Sequence, residues 1–317
     1  MSSLDTLESF RIGDLDQWVQ IRSHDPSRPL LLVLYGGPGL PVFPRVHDLG
    51  VRAGLEKHYT VAYWEQRGTG KSYVPSLSPA DITIDRFVDD VCALTDHLQH
   101  RFDRETLGLF GTSWGTLLGL KALARRPEAF WGFVGAGLLV SPLESDRRSY
   151  EFTLNEAKRR EQEAAIEELE AIGPPPFTPK TALGQRKWLG EFGGIRHEDM
   201  PPGPFGRLWD LATTSAYTWA DLWQIASDPF FALNHLLDEL YETDLADEVP
   251  QVEVPVWILQ GRHDQLTPAS VVEPYVEALT APSKDWTWFE QSAHFPFLDE
   301  PDRFETVMAD VVDRLAP

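Results

Sequence analysis

One five-residue segment constrains the fold of this chain more than any other. It reads Gly111-Thr112-Ser113-Trp114-Gly115 and lies between an apolar run at residues 107–110 and a helical pattern at residues 114–126. A short buried strand followed at once by a helix requires a sharp turn, and larger side chains in place of the two glycines would clash with neighbouring backbone. We therefore predict a strand, a strained turn that exposes Ser113, and a helix.

Further apolar runs predict the remainder of a sheet. Short strand patterns occur at residues 18–22, 30–35, 59–64, 131–140, 254–259 and 285–289. A helical pattern with apolar side chains on one face covers residues 84–102. Strands that alternate with helices favour a parallel sheet with both faces covered. The predicted class is α/β, with a mostly parallel central sheet flanked by helices.

The pattern changes between residues 141 and 250. Residues 144–172 are rich in Glu, Arg and Ala, a Gly-Pro-Pro-Pro run ends this stretch, and tryptophans become frequent after it. The strand pattern resumes only at residue 254. Because the strands on either side are needed to complete one sheet, we predict an α/β core of residues 1–140 and 251–317. Residues 141–250 are predicted to form a helical cap (a lid) inserted into that core.

The charge and the cysteine content exclude several classes of partner. The chain has 28 Lys and Arg against 49 Asp and Glu, a net charge of −21, which repels nucleic acids and anionic membrane surfaces. No segment approaches the roughly 20 apolar residues of a membrane span, and residues 1–16 lack a signal-peptide pattern. The single cysteine, Cys92, forms no internal disulfide. We expect a cytoplasmic protein with neither nucleic acid nor membrane as partner, and its oligomeric state stays open.

A serine becomes a useful nucleophile only with a base within hydrogen-bond reach. Of the nine histidines, we favour His294, which lies in a loop after a predicted strand, at the sheet edge where sites assemble. His263 also follows a predicted strand, but it precedes the candidate acid and lies in the wrong loop. Asp264 follows the preceding strand in the same way and suits the acid that orients an imidazole; its other interpretation is a turn or helix-cap carboxylate. The chain order Ser113, Asp264, His294 is that of α/β-hydrolases.

Acyl transfer also needs donors for the oxyanion that forms on the attacked carbonyl, each worth about 3 to 4 kcal/mol. The backbone N–H of Trp114, directly after the serine, supplies one. The glycine run after the strand at residues 30–35 offers the other at Gly37, whereas Pro38 has no N–H. The same run is also compatible with a simple tight turn.

Two other patterns do not carry chemistry. The segment Gly68-Thr69-Gly70-Lys71-Ser72 ends like a phosphate-binding loop, but that motif requires glycine at position 65, where this chain has Glu65. The His197-Glu198-Asp199 run lies in a proline-rich stretch and lacks convincing metal spacing. We predict no metal and no cofactor.

Four segments together resemble the proline iminopeptidase branch of the α/β-hydrolases, serine peptidase family S33. They are Gly36-Gly37-Pro38-Gly39, Trp64-Glu65-Gln66-Arg67-Gly68-Thr69-Gly70-Lys71-Ser72, Gly111-Thr112-Ser113-Trp114-Gly115-Thr116 and Gly261-Arg262-His263-Asp264. The resemblance implies that Ser113, Asp264 and His294 are nucleophile, acid and base, and that Gly37 and Trp114 line the oxyanion hole. It also implies release of an N-terminal residue, especially proline, from short peptides.

The chain departs from that branch in three ways. Tyr35 stands where the family usually has His before Gly-Gly-Pro-Gly, and Glu65 where it usually has Asp. A Glu-Asn-His-Tyr-Phe-like stretch, whose glutamate binds the substrate's free amine, is missing from the cap. Substitute carboxylates in the cap are Glu191, Asp199, Asp221 and Glu239, each of which is also explained as a solvated charge.

Aromatic side chains supply the remaining substrate-binding candidates. Tyr35 precedes the glycine run, and Trp219 and Trp223 lie four residues apart, so they could form one aromatic wall over the pocket or pack the cap onto the core. The tryptophan-rich cap and the missing amine-binding stretch favour the alternative of an esterase, lactonase or amidase on a small apolar acyl compound. A non-catalytic binding protein of the same fold is a further alternative, and the complete Ser-Asp-His set argues against it.

Overall fold

A computed structural model describes residues 3–196 and 214–317, and in them one eight-stranded sheet organises the chain. The strands are β1 (Leu4–Ile12), β2 (Leu15–Ser23), β3 (Leu30–Leu34), β4 (Thr60–Trp64), β5 (Leu107–Thr112), β6 (Phe130–Ala136), β7 (Val256–Gly261) and β8 (Lys284–Phe289). Their spatial order is β1-β2-β4-β3-β5-β6-β7-β8. β1 pairs antiparallel with β2, and β2 with β4, while the other five pairings are parallel. The predicted α/β class with a mostly parallel sheet is confirmed.

Helices cover both faces of this sheet. They are α1 (Leu55–His58), α2 (Ile84–Phe102), α3 (Trp114–Arg125), α4 (Pro142–Arg159), α5 (Glu163–Ile172), α6 (Pro179–Glu191), α7 (Trp219–Ser227), α8 (Phe231–Glu242), α9 (Leu245–Glu248), α10 (Ala269–Ala278), α11 (Pro296–Asp299) and α12 (Pro301–Leu315). Short 3-10 turns lie at Phe43–Arg45, Gly70–Ser72, Pro79–Asp81 and Pro127–Ala129, and one π-helical turn at His47–Arg52.

The continuous apolar runs are strands because the sheet is buried on both sides. Every residue of β3, β4, β5 and β7 is buried. In β3, Leu32 packs with α2 and α3, whereas its neighbours Leu31 and Val33 pack with α12 on the opposite face. One apolar run therefore supplies two hydrophobic layers.

β1 is not among the predicted strands. Its residues alternate between half-buried and exposed, and Leu4 pairs with Ser23 in an antiparallel ladder that continues to Ile12 and Leu15. An edge strand that mixes polar and apolar side chains on both faces lacks the apolar run that identifies a central strand.

One predicted strand is too long. The strand predicted at residues 131–140 ends at Ala136, because Gly137 has φ +62° and turns the chain out of the sheet. The Glu-, Arg- and Ala-rich stretch at residues 144–172 contains a break that its composition does not indicate: α4 and α5 are separate because Glu161 adopts φ +53°, outside the helical region.

The helices between β6 and β7 divide into two groups by packing. Side chains of α4, α5 and α6 form a hydrophobic cluster of their own, which includes Tyr150, Leu169 and Trp188. Phe231 and Leu236 of α8 instead join the main cluster beneath the sheet. The division into a core and a cap of residues 141–250 stays a prediction, and "cap" below refers to that segment. No described helix combines the length and the apolarity required to cross a membrane.

Candidate active site

Ser113 lies on the sharp turn between β5 and α3, with φ 53° and ψ −122°. The flanking glycines are required sterically, as predicted. A Cβ on Gly111 would lie 2.6 Å from the carbonyl oxygen of Gly115, and a Cβ on Gly115 would lie 1.8 Å from the carbonyl oxygen of Leu34. The positive φ of a non-glycine residue is a strained conformation, maintained here by the packing of β5 and α3.

Asp264 and His294 form a buried pair at the same sheet edge. Each follows the carboxyl end of a strand, β7 or β8, and each is 2% exposed. The imidazole Nδ1 lies 2.9 Å from Asp264 Oδ2. Asp264 also accepts hydrogen bonds from the backbone N–H of Leu266 and Thr267 at Oδ1, and from the Thr267 hydroxyl at Oδ2. Both interpretations of Asp264, turn carboxylate and partner of histidine, are therefore true at once.

The other imidazole nitrogen points away from Asp264. With Nδ1–H donating to the carboxylate, Nε2 is the hydrogen-bond acceptor. Nε2 is buried and has no hydrogen-bond partner among the described residues. The ring packs against Gly137, where an added Cβ would lie 2.6 Å from its Cε1. The backbone N–H of Ser113 donates to the carbonyl of Ala136, the residue before Gly137, at 3.0 Å, so His294 and Ser113 both lie at the end of β6.

Main-chain groups at residues 194 and 195 of the cap hold the loops that carry Asp264 and His294. The carbonyl of Gly194 accepts from Gln265 N–H at 2.9 Å, and the carbonyl of Ile195 accepts from His294 N–H at 3.0 Å. These main-chain contacts have no side-chain signature, so the sequence could not indicate them.

An ion pair reinforces this contact. Arg196 Nε lies 2.9 Å from Asp299 Oδ1, and Asp299 Oδ2 accepts from Ala293 N–H at 3.1 Å. Arg196 and Asp299 are therefore structural neighbours of His294 that the sequence reasoning did not identify.

The two segments predicted to form the oxyanion hole lie beside Ser113. A Cβ on Gly36 would lie 3.2 Å from Ser113 Cβ, which places the glycine run against the serine. Gly37 has φ +147°, and a Cβ there would lie 2.6 Å from Gly39 N, so the run requires glycine. Trp114 opens α3, where backbone N–H groups lack helical partners and the helix dipole favours negative charge.

The segment that resembles a phosphate-binding loop has another role. Buried Glu65 accepts hydrogen bonds from Lys71 N–H and from the Tyr217 hydroxyl of the cap. Burial raises the pKa of Glu65 to about 8, despite these hydrogen bonds. The Lys71 ammonium lies 2.6 Å from Asp221 Oδ2. These residues join the core to the cap, and no phosphate is required to explain them.

The carboxylates singled out for substrate binding are mostly engaged elsewhere. Asp221 bonds Lys71 and caps α7 through Thr218 N–H; although burial raises the pKa of Asp221, these bonds keep it below its usual value. Glu239 accepts from Ile84 N–H at the start of α2. Glu191 is exposed at the end of α6, and Asp199 lies outside the described residues.

Of the aromatic candidates for substrate binding, one is buried and two are exposed. Tyr35 is 6% exposed, whereas Trp219 and Trp223 are 85% and 80% exposed. The indoles of α7 therefore do not pack the cap onto the described part of the core, and that interpretation is wrong.

Comparisons with known proteins agree with this geometry. A family model described as the alpha/beta hydrolase fold matches residues 29–301. A probable aminopeptidase, YbaC, from Bacillus subtilis (strain 168) is 30% identical over 309 residues, covering 97% of this chain and 96% of the relative. A proline iminopeptidase from Heyndrickxia coagulans is 26% identical over 292 residues, covering 90% and 91%. The crystal structure of a proline iminopeptidase from Mycobacterium smegmatis superposes with a TM-score of 0.72 at 22% identity, covering 98% of both chains.

Proposed function

The chain belongs to the α/β-hydrolase fold family, and on that premise we propose that it is a serine hydrolase that acts through an acyl-enzyme. Its proposed reaction is that of an aminopeptidase, the release of an N-terminal residue from short peptides or amides. The resemblance to proline iminopeptidases, expected from four sequence segments, is confirmed by the relatives. The observation that carries the mechanism is the Asp264–His294 pair at the sheet edge that carries Ser113, in which Nε2 lies away from the carboxylate and has no partner within residues 3–196 and 214–317.

The mechanism follows from these positions. His294 Nε2 takes the hydroxyl proton of Ser113 as Oγ attacks the substrate carbonyl carbon, and Asp264 offsets the charge of the imidazolium. Collapse of the tetrahedral intermediate breaks the bond to the leaving amine, which receives that proton from Nε2. Water, deprotonated by the same imidazole, then attacks the Ser113 ester, and collapse of this second intermediate releases the acid while Nε2 returns the proton to Ser113 Oγ. The proposed donors to the oxyanion are the N–H groups of Gly37 and Trp114.

Binding of a free amine is the specific requirement of an aminopeptidase. The relatives' names supply the support for this activity. Among the described cap carboxylates proposed as its partner, exposed Glu191 is the one not occupied by another contact described above. We propose a short peptide or another small molecule as the substrate and the cytoplasm as the location.

An esterase or amidase activity on a small acyl compound is the second candidate. The engagement of Asp221 by Lys71 and of Glu239 by Ile84 favours it, because both carboxylates are then unavailable to a substrate ammonium. The same Ser-His-Asp chemistry serves ester substrates without any amine-binding group.

A matched panel of substrates separates these two candidates. Purified protein is assayed with the naphthylamides of proline and alanine, with the same amides blocked at nitrogen, and with short-chain nitrophenyl esters. We expect cleavage of the free-amine amides and its loss on blocking. Ester turnover that is indifferent to a free amine would establish the second candidate instead.

The panel is repeated with two serine variants. Ser113→Ala should abolish every activity, and Ser76→Ala, in an exposed loop, should retain all of them. Equal turnover by Ser113→Ala and wild type would contradict the serine mechanism for either substrate class.

A further inference from the structure

The two proposed oxyanion donors come from segments that are separate in sequence. Gly37 belongs to the loop after β3, and the Trp114 N–H belongs to the first turn of α3 after β5. Because β4, β3 and β5 are adjacent and parallel, the loops after all three meet at one sheet edge. The oxyanion hole therefore depends on how these loops are held relative to one another.

One buried side chain bridges the two segments. Gln66, two residues after the end of β4, is 5% exposed. Its Nε2 donates to the carbonyl oxygen of Tyr35 at 2.9 Å, directly before the glycine run. Its Oε1 accepts from the indole Nε1 of Trp114, also at 2.9 Å. The indole can only donate and the carbonyl can only accept, so the amide has one orientation and satisfies both.

The residues on both sides of Gln66 are themselves held by hydrogen bonds. On one side the carbonyl of Glu65 accepts from the Ser72 hydroxyl at 2.6 Å. On the other, the fully buried guanidinium of Arg67 makes two hydrogen bonds to Asp90, at 2.8 and 3.0 Å. This arrangement accounts for the Trp-x-Gln-Arg-Gly-x-Gly-x-Ser segment, to which the proposed mechanism gives no role.

We propose that Gln66 is a positioning residue that fixes the Gly37 loop and the Trp114 N–H at the spacing an oxyanion requires. The inference rests on the proposed function, since it concerns the same reaction. Glycines give the loop no side-chain anchors of their own, and the hydrogen bond from Gln66 to the Tyr35 carbonyl holds the main chain directly before them. Stabilisation of an oxyanion depends on donors already in place, and displacement of about 1 Å costs on the order of 100-fold in rate.

The test compares catalysis with the binding of a transition-state mimic. Gln66→Met removes both hydrogen bonds at similar volume, and Gln66→Glu retains the acceptor for Trp114 but loses the donor to Tyr35 when ionised. We expect kcat to fall about 10- to 100-fold in both variants with KM within about threefold. Affinity for an alkyl boronic acid, whose adduct with Ser113 places an oxygen in the oxyanion hole, should fall in parallel with kcat.

Gln185 of α6 provides a matched control. It is also buried, and its amide donates to the Ser149 hydroxyl at 3.0 Å and the Thr153 hydroxyl at 2.9 Å, both on α4 and away from the two oxyanion segments. Gln185→Met should lower the melting temperature as Gln66→Met does while kcat and boronate affinity stay within about threefold of wild type. A Gln66→Met variant whose kcat and boronate affinity change no more than those of this control would overturn the proposal.

A double-variant cycle tests the bridge itself. Trp114→Phe removes the indole donor and leaves the backbone N–H in place. If Gln66 acts through Trp114 and Tyr35 together, the combined loss of kcat in Gln66→Met/Trp114→Phe is smaller than the product of the single losses. A combined loss of kcat equal to the product of the two single losses would mean that Gln66 and Trp114 act independently, and the proposed bridge would be wrong. Formation of the boronate adduct by wild type and not by Ser113→Ala tests the proposed function separately, so the two failures are distinguishable.

Discussion

Asp264 performs two structural tasks with one carboxylate. Oδ1 accepts hydrogen bonds from two backbone N–H groups of its own loop. Oδ2 accepts a hydrogen bond from the Thr267 hydroxyl and faces His294 Nδ1. The loop bonds explain why the carboxylate has one orientation. The orientation in turn selects the imidazole tautomer that leaves Nε2 able to accept the Ser113 proton.

This division of tasks predicts the effect of an amide at position 264. Asp264→Asn retains a carbonyl oxygen for the loop, but its amide no longer offers a charged acceptor to Nδ1–H and favours the wrong tautomer. We expect kcat to fall about 10³- to 10⁴-fold with little change in melting temperature. Steady-state kinetics beside thermal unfolding checks this, and near-wild-type turnover would mean that a different carboxylate orients His294.

The residues that sequence could identify are those marked by their position on strands. Ser113, Asp264 and His294 each follow a predicted strand directly, so the topology alone brings them to one edge. Thr267 and Arg196 carry no such mark. The contact of Arg196 with Asp299 joins positions 103 apart in sequence, and only tertiary structure brings them together.

At the level of elements, the loop after β4 connects the core to the cap. Glu65 binds the Tyr217 hydroxyl, and Lys71 binds Asp221 at the start of α7. Burial raises the pKa of Glu65 to about 8 from its ordinary value of 4.5. Between these two values the folded protein retains a proton that the unfolded chain releases, so the free energy of unfolding falls as the pH rises.

A neutral isostere removes this pH dependence. Glu65→Gln retains an acceptor for Lys71 N–H and a polar group for Tyr217, but it does not titrate. The stability of wild type should fall relative to Glu65→Gln by up to about 1.4 kcal/mol per pH unit between about pH 5 and pH 8. Urea unfolding at pH 6, 7.5 and 9 measures this difference, with Glu253→Gln on the surface as control. Parallel pH profiles for wild type and Glu65→Gln would show that Glu65 is ionised in the folded protein.

Elements were predictable where one hydrophobic pattern extended over the whole element. The apolar face of α2 predicts its bounds, Ile84–Phe102, as observed. β1 was not predicted because both of its faces are partly exposed. The break between α4 and α5 was not predicted because it depends on the backbone conformation of Glu161. Edge strands and helix breaks are decided by pairing and local backbone conformation, which an apolar pattern does not encode.

At the scale of the whole molecule, the parallel sheet is what makes the site possible. Its parallel strands end at one edge, so Ser113 after β5, Asp264 after β7 and His294 after β8, the proposed nucleophile, acid and base, meet there although they are far apart in sequence. The cap contributes main-chain bonds from Gly194 and Ile195 to the acid and base loops. The net charge of −21 is explained equally by solubility and by long-range attraction of cationic substrates.

Covalent labelling tests whether Ser113 is the nucleophile of an acyl-enzyme, as we propose. Folded wild-type protein is treated with a fluorophosphonate, and the modified residue is located by peptide mass spectrometry. We expect one adduct on Ser113, its loss in Ser113→Ala, and a strongly slowed reaction in His294→Ala, since the imidazole activates the hydroxyl. Absence of labelling in folded wild type, or labelling that persists in Ser113→Ala, would contradict the assignment of Ser113 as nucleophile.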